Sequence, residues 1–356
     1  PKGVVSSHRA VLQAVVGREL AEAIALVMAG VDVETAEQTP TGRTDEVTLL
    51  TVPLFHVTAS HAVYLTSYRA QATVVSMRKW DAAEAVELIE RERVTRVVAP
   101  PAVTHDLARA ARASRRDLAS LRLVGGGGAA RPAAQVRQIA ESLPTTAPTT
   151  GWGMTETNSA GSSIGGADYL QHPDSSGRCP PMLELRVVGD DGTAVPTGQV
   201  GELQVRGSTM CSGYWNRPDA DAASFDGDWF RTGDVARLDD EGYLYIVDRI
   251  KDLVIRGGEN IGCGHVESAL AMYPGVHEAV VYSVPDERLG EEVGATVYAD
   301  QPVDVDDLRR FLATQLAAFE VPRYVTVTDQ PLPRTASGKL FKREVRDAAI
   351  DSLGLR

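Results

Sequence analysis

Apolar residues at Val11, Val15, Leu20, Ile24 and Val27 recur at helical spacing, so the pattern predicts one long helix over 7–28. Beyond it, short apolar runs alternate with helical patterns. Strands are expected at 47–53, 72–76, 96–99 and 121–124, and helices near 59–68, 81–92, 101–112 and 131–143. Asp81 stands where its carboxylate can cap a helix, and Pro101 and Pro132 stand where a first turn tolerates a missing N–H. Elements of this length in alternation imply parallel strands joined by crossover helices.

After Gly151 the pattern changes. Gly and Pro become frequent, and short alternating strands at 183–188 and 202–205 predict an antiparallel, β-rich part. After Asp248 it changes again, to strands at 252–256, 278–284, 293–298 and 324–327 with helices at 266–271 and 305–317. The expected fold class is therefore α/β multidomain. A partial parallel α/β sheet (1–150) and a β-rich part (151–250) form one larger domain, and a small α+β domain follows over 251–356.

Composition narrows the function classes. With 36 basic and 48 acidic residues the net charge is −12, which argues against a nucleic-acid backbone as the main partner. Cys179, Cys211 and Cys263 are dispersed and form no CxxC, so they read as reduced thiols of a cytoplasmic protein rather than disulfide or zinc ligands. No apolar run is long enough to span a bilayer, and no signal-peptide pattern opens the chain. It opens instead on Pro1-Lys2-Gly3 without an initiator Met, and the expectation is a piece of a longer protein.

Five stretches can carry chemistry. Leu123-Val124 runs into Gly125-Gly126-Gly127-Gly128 and then a helix start, where backbone can approach a flat or anionic ligand; a loose turn is the equal alternative. Gly151-Trp152-Gly153-Met154-Thr155-Glu156 offers an exposed stacking plane, a hydroxyl for phosphate and a carboxylate for a hard cation, against the commoner fate of a core Trp and a solvated Glu. Asp234, in Trp229-Phe230-Arg231-Thr232-Gly233-Asp234, can accept from a ribose diol or simply serve a turn. The charged cluster Asp248-Arg249-Ile250-Lys251-Asp252, followed by Gly257-Gly258, suits either a hinge or a surface hairpin. Finally, Lys339 follows Ser337-Gly338 on a flexible loop, where it can swing onto a phosphate or remain a solvated helix start.

In this order and at these separations the five stretches resemble the adenylate-forming superfamily: acyl-CoA synthetases, peptide-synthetase adenylation domains and beetle luciferases. Pro53-Leu54-Phe55-His56-Val57 and Ile255-Arg256-Gly257-Gly258-Glu259-Asn260-Ile261 look most like bacterial fatty-acyl-CoA synthetases. The resemblance implies ATP and Mg²⁺ as cofactors, CoA as a substrate, and a carboxylic acid activated as its adenylate. It places Gly127, Gly128 and Ala129 at the adenine, with Gly151, Trp152 and Gly153 forming the stacking segment. Thr155 falls on the α-phosphate, Glu156 on Mg²⁺, Asp234 on the ribose with Arg249 nearby, and Lys339 on the reacting carboxylate and α-phosphate. Lys251 takes the hinge position about which the small, mobile domain turns. Gly258 takes the place beside the pantetheine tunnel, and His56 the place between that tunnel and the acyl pocket.

Three departures accompany the likeness. The family's phosphate loop ends in Pro-Lys-Gly, so the loop is expected to precede Pro1, and the chain alone to be an inactive fragment with residual nucleotide binding. Gly262-Cys263-Gly264-His265 replaces the usual residues, and its two glycines are expected to loosen a helix start. Trp152 stands in for the commoner Tyr. Small residues (Ala59, Ser60, Ala99) are compatible with a fatty or bulky acyl group, and a lipid substrate would bring peripheral contact with a membrane. An adenylation domain that loads a carrier protein is the competing assignment.

Overall fold

The computed structural model describes residues 2–28, 30–36, 45–128, 131–335 and 339–354, with backbone alone for Ala134 and Lys251. Its alternation of strand and helix produces the expected parallel run. Strand Val47–Leu50 pairs in parallel with Thr73–Ser76 on one side and Arg96–Ala99 on the other; Leu123–Gly126 and Ala147–Gly151 continue the run. The crossover helices form as their caps dictate. Asp81 accepts from Ala83 N and Glu84 N at 2.9 and 3.0 Å and opens Ala82–Glu92, while Pro101 opens Pro101–Ala113. Leu49, Val97 and Val124 on the strands meet Ile89, Leu107 and Ile139 on the helices, all fully or almost fully buried. Beyond Ala147–Gly151 the sheet, 12-stranded among the described residues, continues with antiparallel pairings to Ser163–Gly165 and Gly177–Arg178. Leu183–Val188 and Gly201–Gly207 form the expected antiparallel pair, which lies at the far end of the sheet.

The chain divides into two compact units: Pro1–Arg131, Gln135–Thr232 and Arg237–Tyr245 form the first, and Pro132–Ala134, Gly233–Ala236 and Ile246–Arg356 the second. The second has its own five-stranded sheet and core. Leu253–Arg256 and Glu259–Gly262 form one antiparallel hairpin, Val276–Asp286 and Gly290–Ala299 another, and Tyr324–Thr328 joins Gly290–Ala299 in parallel. Helices Cys263–Leu270 and Val305–Leu312 cover it, burying Val266, Leu270, Leu308 and Leu312 against Val281, Val293 and Val297.

The first helix, His8–Met28, differs from its apolar pattern. Its buried positions are Ala10, Ala14, Val15 and Gly17, whereas Leu20, Ile24 and Val27 are exposed. Small residues let this helix pack closely, and they are weak in any count of hydrophobicity. At the Gly262–Gly264 segment the helix start is held from outside. A helix does begin at Cys263, because Asp248 Oδ2 accepts from Gly264 N at 3.0 Å and the buried Cys263 Sγ donates to Asp252 O at 2.8 Å. Partners outside the helix supply what the glycines lack. The three cysteines are free thiols, and among the described residues no helix is long and apolar enough to cross a membrane.

Candidate active site

Three loops leave the carboxyl ends of the parallel strands in the first unit. Val47–Leu50 leads to His56, Leu123–Gly126 to Gly127 and Gly128, and Ala147–Gly151 to Trp152, Gly153, Thr155 and Glu156. These strands lie in one parallel run with only Arg96–Ala99 among them, so the loops open along one edge of the sheet. That edge is where α/β sheets bind ligands. Gly127 has open space where a Cβ would stand, which suits close approach of a flat ligand to its backbone. Ala129 lies outside the described residues.

Trp152 is 9% exposed, so the open stacking plane expected from its neighbours is a largely enclosed one. The strand Ser163–Gly165 returns beside it: Trp152 N donates to Ser162 O at 3.2 Å, and a Cβ on Gly161 would fall 1.9 Å from the Trp152 carbonyl oxygen. The next residues wind into a 3₁₀ turn, Thr155–Thr157, with the Thr155 side chain exposed. Asn158 and Ser159 then take left-handed backbone at φ 54° and 63°. The cost, about 1 kcal/mol each, is offset by Asn158 Nδ2 donating to Thr209 O at 2.8 Å and by the Thr157 hydroxyl, which bonds the Met154 and Ala160 carbonyls.

Glu156 is fixed at two points. Its carbonyl accepts from Cys211 N at 2.7 Å, and its Oε1 accepts from the Tyr214 hydroxyl at 2.6 Å. Burial first, and then the Glu156 carboxylate, push the Tyr214 hydroxyl pKa up, so it stays a donor. Tyr214 N donates to Asp221 Oδ1 at 2.8 Å. Strand Val4–Val5 pairs with Gly213–Tyr214, which brings Lys2 Nζ to 3.9 Å from the centre of the Tyr214 ring. Sequence reasoning missed Tyr214; its signal was an aromatic pair, Tyr214-Trp215, between Gly213 and the turn residues Asn216-Arg217-Pro218. It also missed Arg131, a buried cation whose Nη2 donates to Thr104 Oγ1 at 3.1 Å and Nη1 to Thr149 O at 3.3 Å. His56 is half-buried, and its Nδ1 accepts from Thr58 N at 3.2 Å, which sets the ring's orientation.

The second unit holds the other expected residues. Asp234 belongs to the long strand Trp229–Leu238 rather than to a turn; the left-handed residue is its neighbour Gly233, at φ +69°. Asp234 is 3% exposed, and its Oδ1 accepts from Arg249 Nε at 2.9 Å. Lys251 lies in the 3₁₀ turn Ile250–Asp252, which joins strand Tyr243–Arg249 to strand Leu253–Arg256. Gly257 and Gly258 form the next hairpin at φ +59° and +95°. Lys339 is half-buried, anchored where Thr335 N donates to its carbonyl at 2.8 Å. Burial and then the Arg249 charge lower its pKa below the ordinary lysine range. Among the described residues no carboxylate stands within ion-pair distance of its ammonium.

Among the described residues no group of three or more His, Cys, Asp or Glu gathers as a metal site. A single carboxylate, Glu156, is the donor set that suits a Mg²⁺ held chiefly by phosphate oxygens.

The model for AMP-binding enzymes matches residues 1–215, and that for the AMP-binding enzyme C-terminal domain matches 265–339. The chain is 39% identical over 305 residues to a feruloyl-CoA synthase of Amycolatopsis, with 85% of this chain and 61% of that protein covered. It is 36% identical over 301 residues to the long-chain-fatty-acid–CoA ligase FadD13 of Mycobacterium tuberculosis, covering 84% and 59% respectively. Among solved structures, o-succinylbenzoate CoA synthetase (MenE) of Bacillus subtilis, in complex with ATP and magnesium ion, superposes with a TM-score of 0.80 at 28% identity, over 98% of this chain and 67% of that one. The chain thus spans about 60% of the length of these curated relatives.

Proposed function

Since the chain belongs to the AMP-binding enzyme family, we propose that the full-length protein is an AMP-forming acid–thiol ligase that converts a carboxylic acid, ATP and CoA to an acyl-CoA. In the first step a carboxylate oxygen attacks the α-phosphorus, the bond to the β-phosphate breaks, and pyrophosphate leaves. In the second, the CoA thiolate attacks the acyl carbonyl carbon of the adenylate and AMP departs. The observation that carries the reading is Lys339, a half-buried cation that follows Ser337-Gly338 in the sequence and has, among the described residues, no carboxylate within ion-pair distance. Bringing two anions together needs such a charge, and one held away from competing anions is already organised for it.

The other residues take the roles their chemistry suits. The exposed Thr155 hydroxyl donates to the α-phosphate, and the Asp234 carboxylate accepts from the ribose diol while Arg249 holds it in place. Trp152 offers its ring face to the adenine, beside Gly127 and Gly128. Mg²⁺, when bound at Glu156, neutralises phosphate charge. Lys251 is the hinge between the domain over 1–250 and the mobile domain over 251–356, and Gly258 and His56 serve the thiol and acyl paths. The relatives' names span aromatic, long-chain and succinylbenzoate acids, and with the small residues near His56 they support a bulky or fatty acyl group. Acid-dependent ATP–pyrophosphate exchange by the full-length protein, followed by thioester assay with CoA and with a carrier thiol, tests the reading. Exchange without any CoA thioester, or no exchange with any acid, would overturn it.

Two further results are expected. Tyr214→Phe leaves the Glu156 carboxylate without its 2.6 Å donor. The Mg²⁺ concentration for half-maximal exchange should rise roughly 3- to 10-fold, the size of one ordinary hydrogen bond that positions the carboxylate; an unchanged titration would place the cation elsewhere. The second result concerns pH. Lys339 acts as a cation, so activity falls as pH rises through its lowered pKa. Arg249→Gln removes the neighbouring positive charge, which raises that pKa and moves the alkaline limb of the exchange profile to higher pH. A limb that stays put or moves down would contradict the assignment.

A further inference from the structure

Among the described residues Arg18 is a second cation with no carboxylate within ion-pair distance. It projects from the helix His8–Met28, where its Nη2 donates to the Ser159 carbonyl and to Ser159 Oγ, the latter at 3.1 Å. Its Nε is sealed from solvent and meets no acceptor. Burial, and then the charge of Arg96, push the Arg18 pKa down to about 10. Glu19 pairs with Arg69 at 3.0 Å, and Glu46 with Arg96 at 3.5 Å. His61 shares the environment, and burial together with Arg18 lowers its pKa, so the ring is neutral and offers no counter-charge. A largely buried guanidinium whose neighbours are neutral or cationic is costly unless something anionic joins it.

Its position says what that something is. Ser159 lies three residues beyond Glu156, just after the turn that holds it. His61 lies five residues beyond His56, in the helical stretch Thr58–Leu65 that follows it. Arg18 therefore stands between the segment that leads to the phosphates and the segment that leads to the acyl group. We propose that Arg18 is the receptor for a second carboxylate on the acid, remote from the one that is activated. The substrate class would then be dicarboxylic acids activated at one end, with Ser159 orienting the guanidinium. This rests on the acid-activating reading above.

The test uses the full-length protein with dicarboxylic acids from adipate to hexadecanedioate, each compared with its monomethyl ester. The ester keeps length and shape but lacks the second charge. The best diacid should exceed its ester in kcat/KM by roughly 10- to 100-fold, the range of a desolvated charge-assisted pair. In Arg18→Met that ratio should collapse toward one, and Arg18→Lys should keep part of it. Equal rates for diacid and ester in the parent enzyme would overturn the proposal. So would an equal loss for both in Arg18→Met, which is the behaviour of a tether to Ser159 or of an ion pair with another part of the full-length chain. If no acid is adenylated at all, the ligase reading fails separately. Thermal stabilisation by the diacid alone then decides: a shift present in the parent and absent in Arg18→Met sustains the receptor, and no shift in either removes it.

Discussion

Lys339→Ala in the full-length protein should lower acid-dependent ATP–pyrophosphate exchange by roughly 10²–10³-fold, the size of effect seen when one preorganised charge-stabilising group is removed. KM for ATP should change far less, because the cation meets charge that develops during transfer. The site explains why no neighbour can substitute. Arg249, whose charge bears on Lys339, already pairs with Asp234 at 2.9 Å. The nearby Lys342 pairs with Glu267 at 2.8 Å. Lys339→Arg should recover little, since a planar fork cannot replace a compact ammonium at one point. Should thioester formation from a synthetic acyl-adenylate fall as steeply as exchange, Lys339 would have to act in both half-reactions, and its assignment to adenylation would be wrong.

Much of the fold was legible because local signals agreed with the tertiary outcome. The strand Arg96–Ala99 formed at its expected limits, and Asp81 made its cap, since an alternation of apolar runs with capped helices leaves a parallel sheet few rivals. Where small residues decide packing, the reading failed. Ala10, Ala14 and Gly17 are the contact face of the first helix, and apolar periodicity does not weigh them. The site was legible in part for a related reason. Trp152, Thr155 and Glu156 lie close together in sequence, the last two in one 3₁₀ turn, so their order alone keeps them near one another. Tyr214 reaches Glu156 across 58 positions, and Arg18 reaches Ser159 across 141. Pairings of that span depend on how strands and helices are laid side by side. Among the described residues no carboxylate pairs with Arg18 or Lys339, a property that is visible only once the fold has placed Glu19, Glu46 and Glu267 on other cations.

The remaining large effect concerns the thiol step, and it requires separating two reasons for a glycine. Gly258 has φ +95°, so any side chain there is strained by about 1–2 kcal/mol. Yet within its own unit no atom lies within 4 Å of where a Cβ would stand. A leucine therefore meets no obstacle in the hairpin itself, and any obstruction it causes falls on whatever passes over that surface. Gly258→Ala and Gly258→Leu share the backbone strain and differ only in bulk. Both should lower thermal stability to a similar extent. Gly258→Leu should in addition cut acyl-CoA formation by more than roughly 10²-fold while pyrophosphate exchange stays near the parent rate, the pattern of an enzyme that completes one half-reaction and not the other. Gly258→Ala should retain thioester formation within a few-fold, because a methyl group leaves most of the path open. Equal losses in the two variants would assign the glycine to backbone conformation alone, and the pantetheine path would have to run elsewhere.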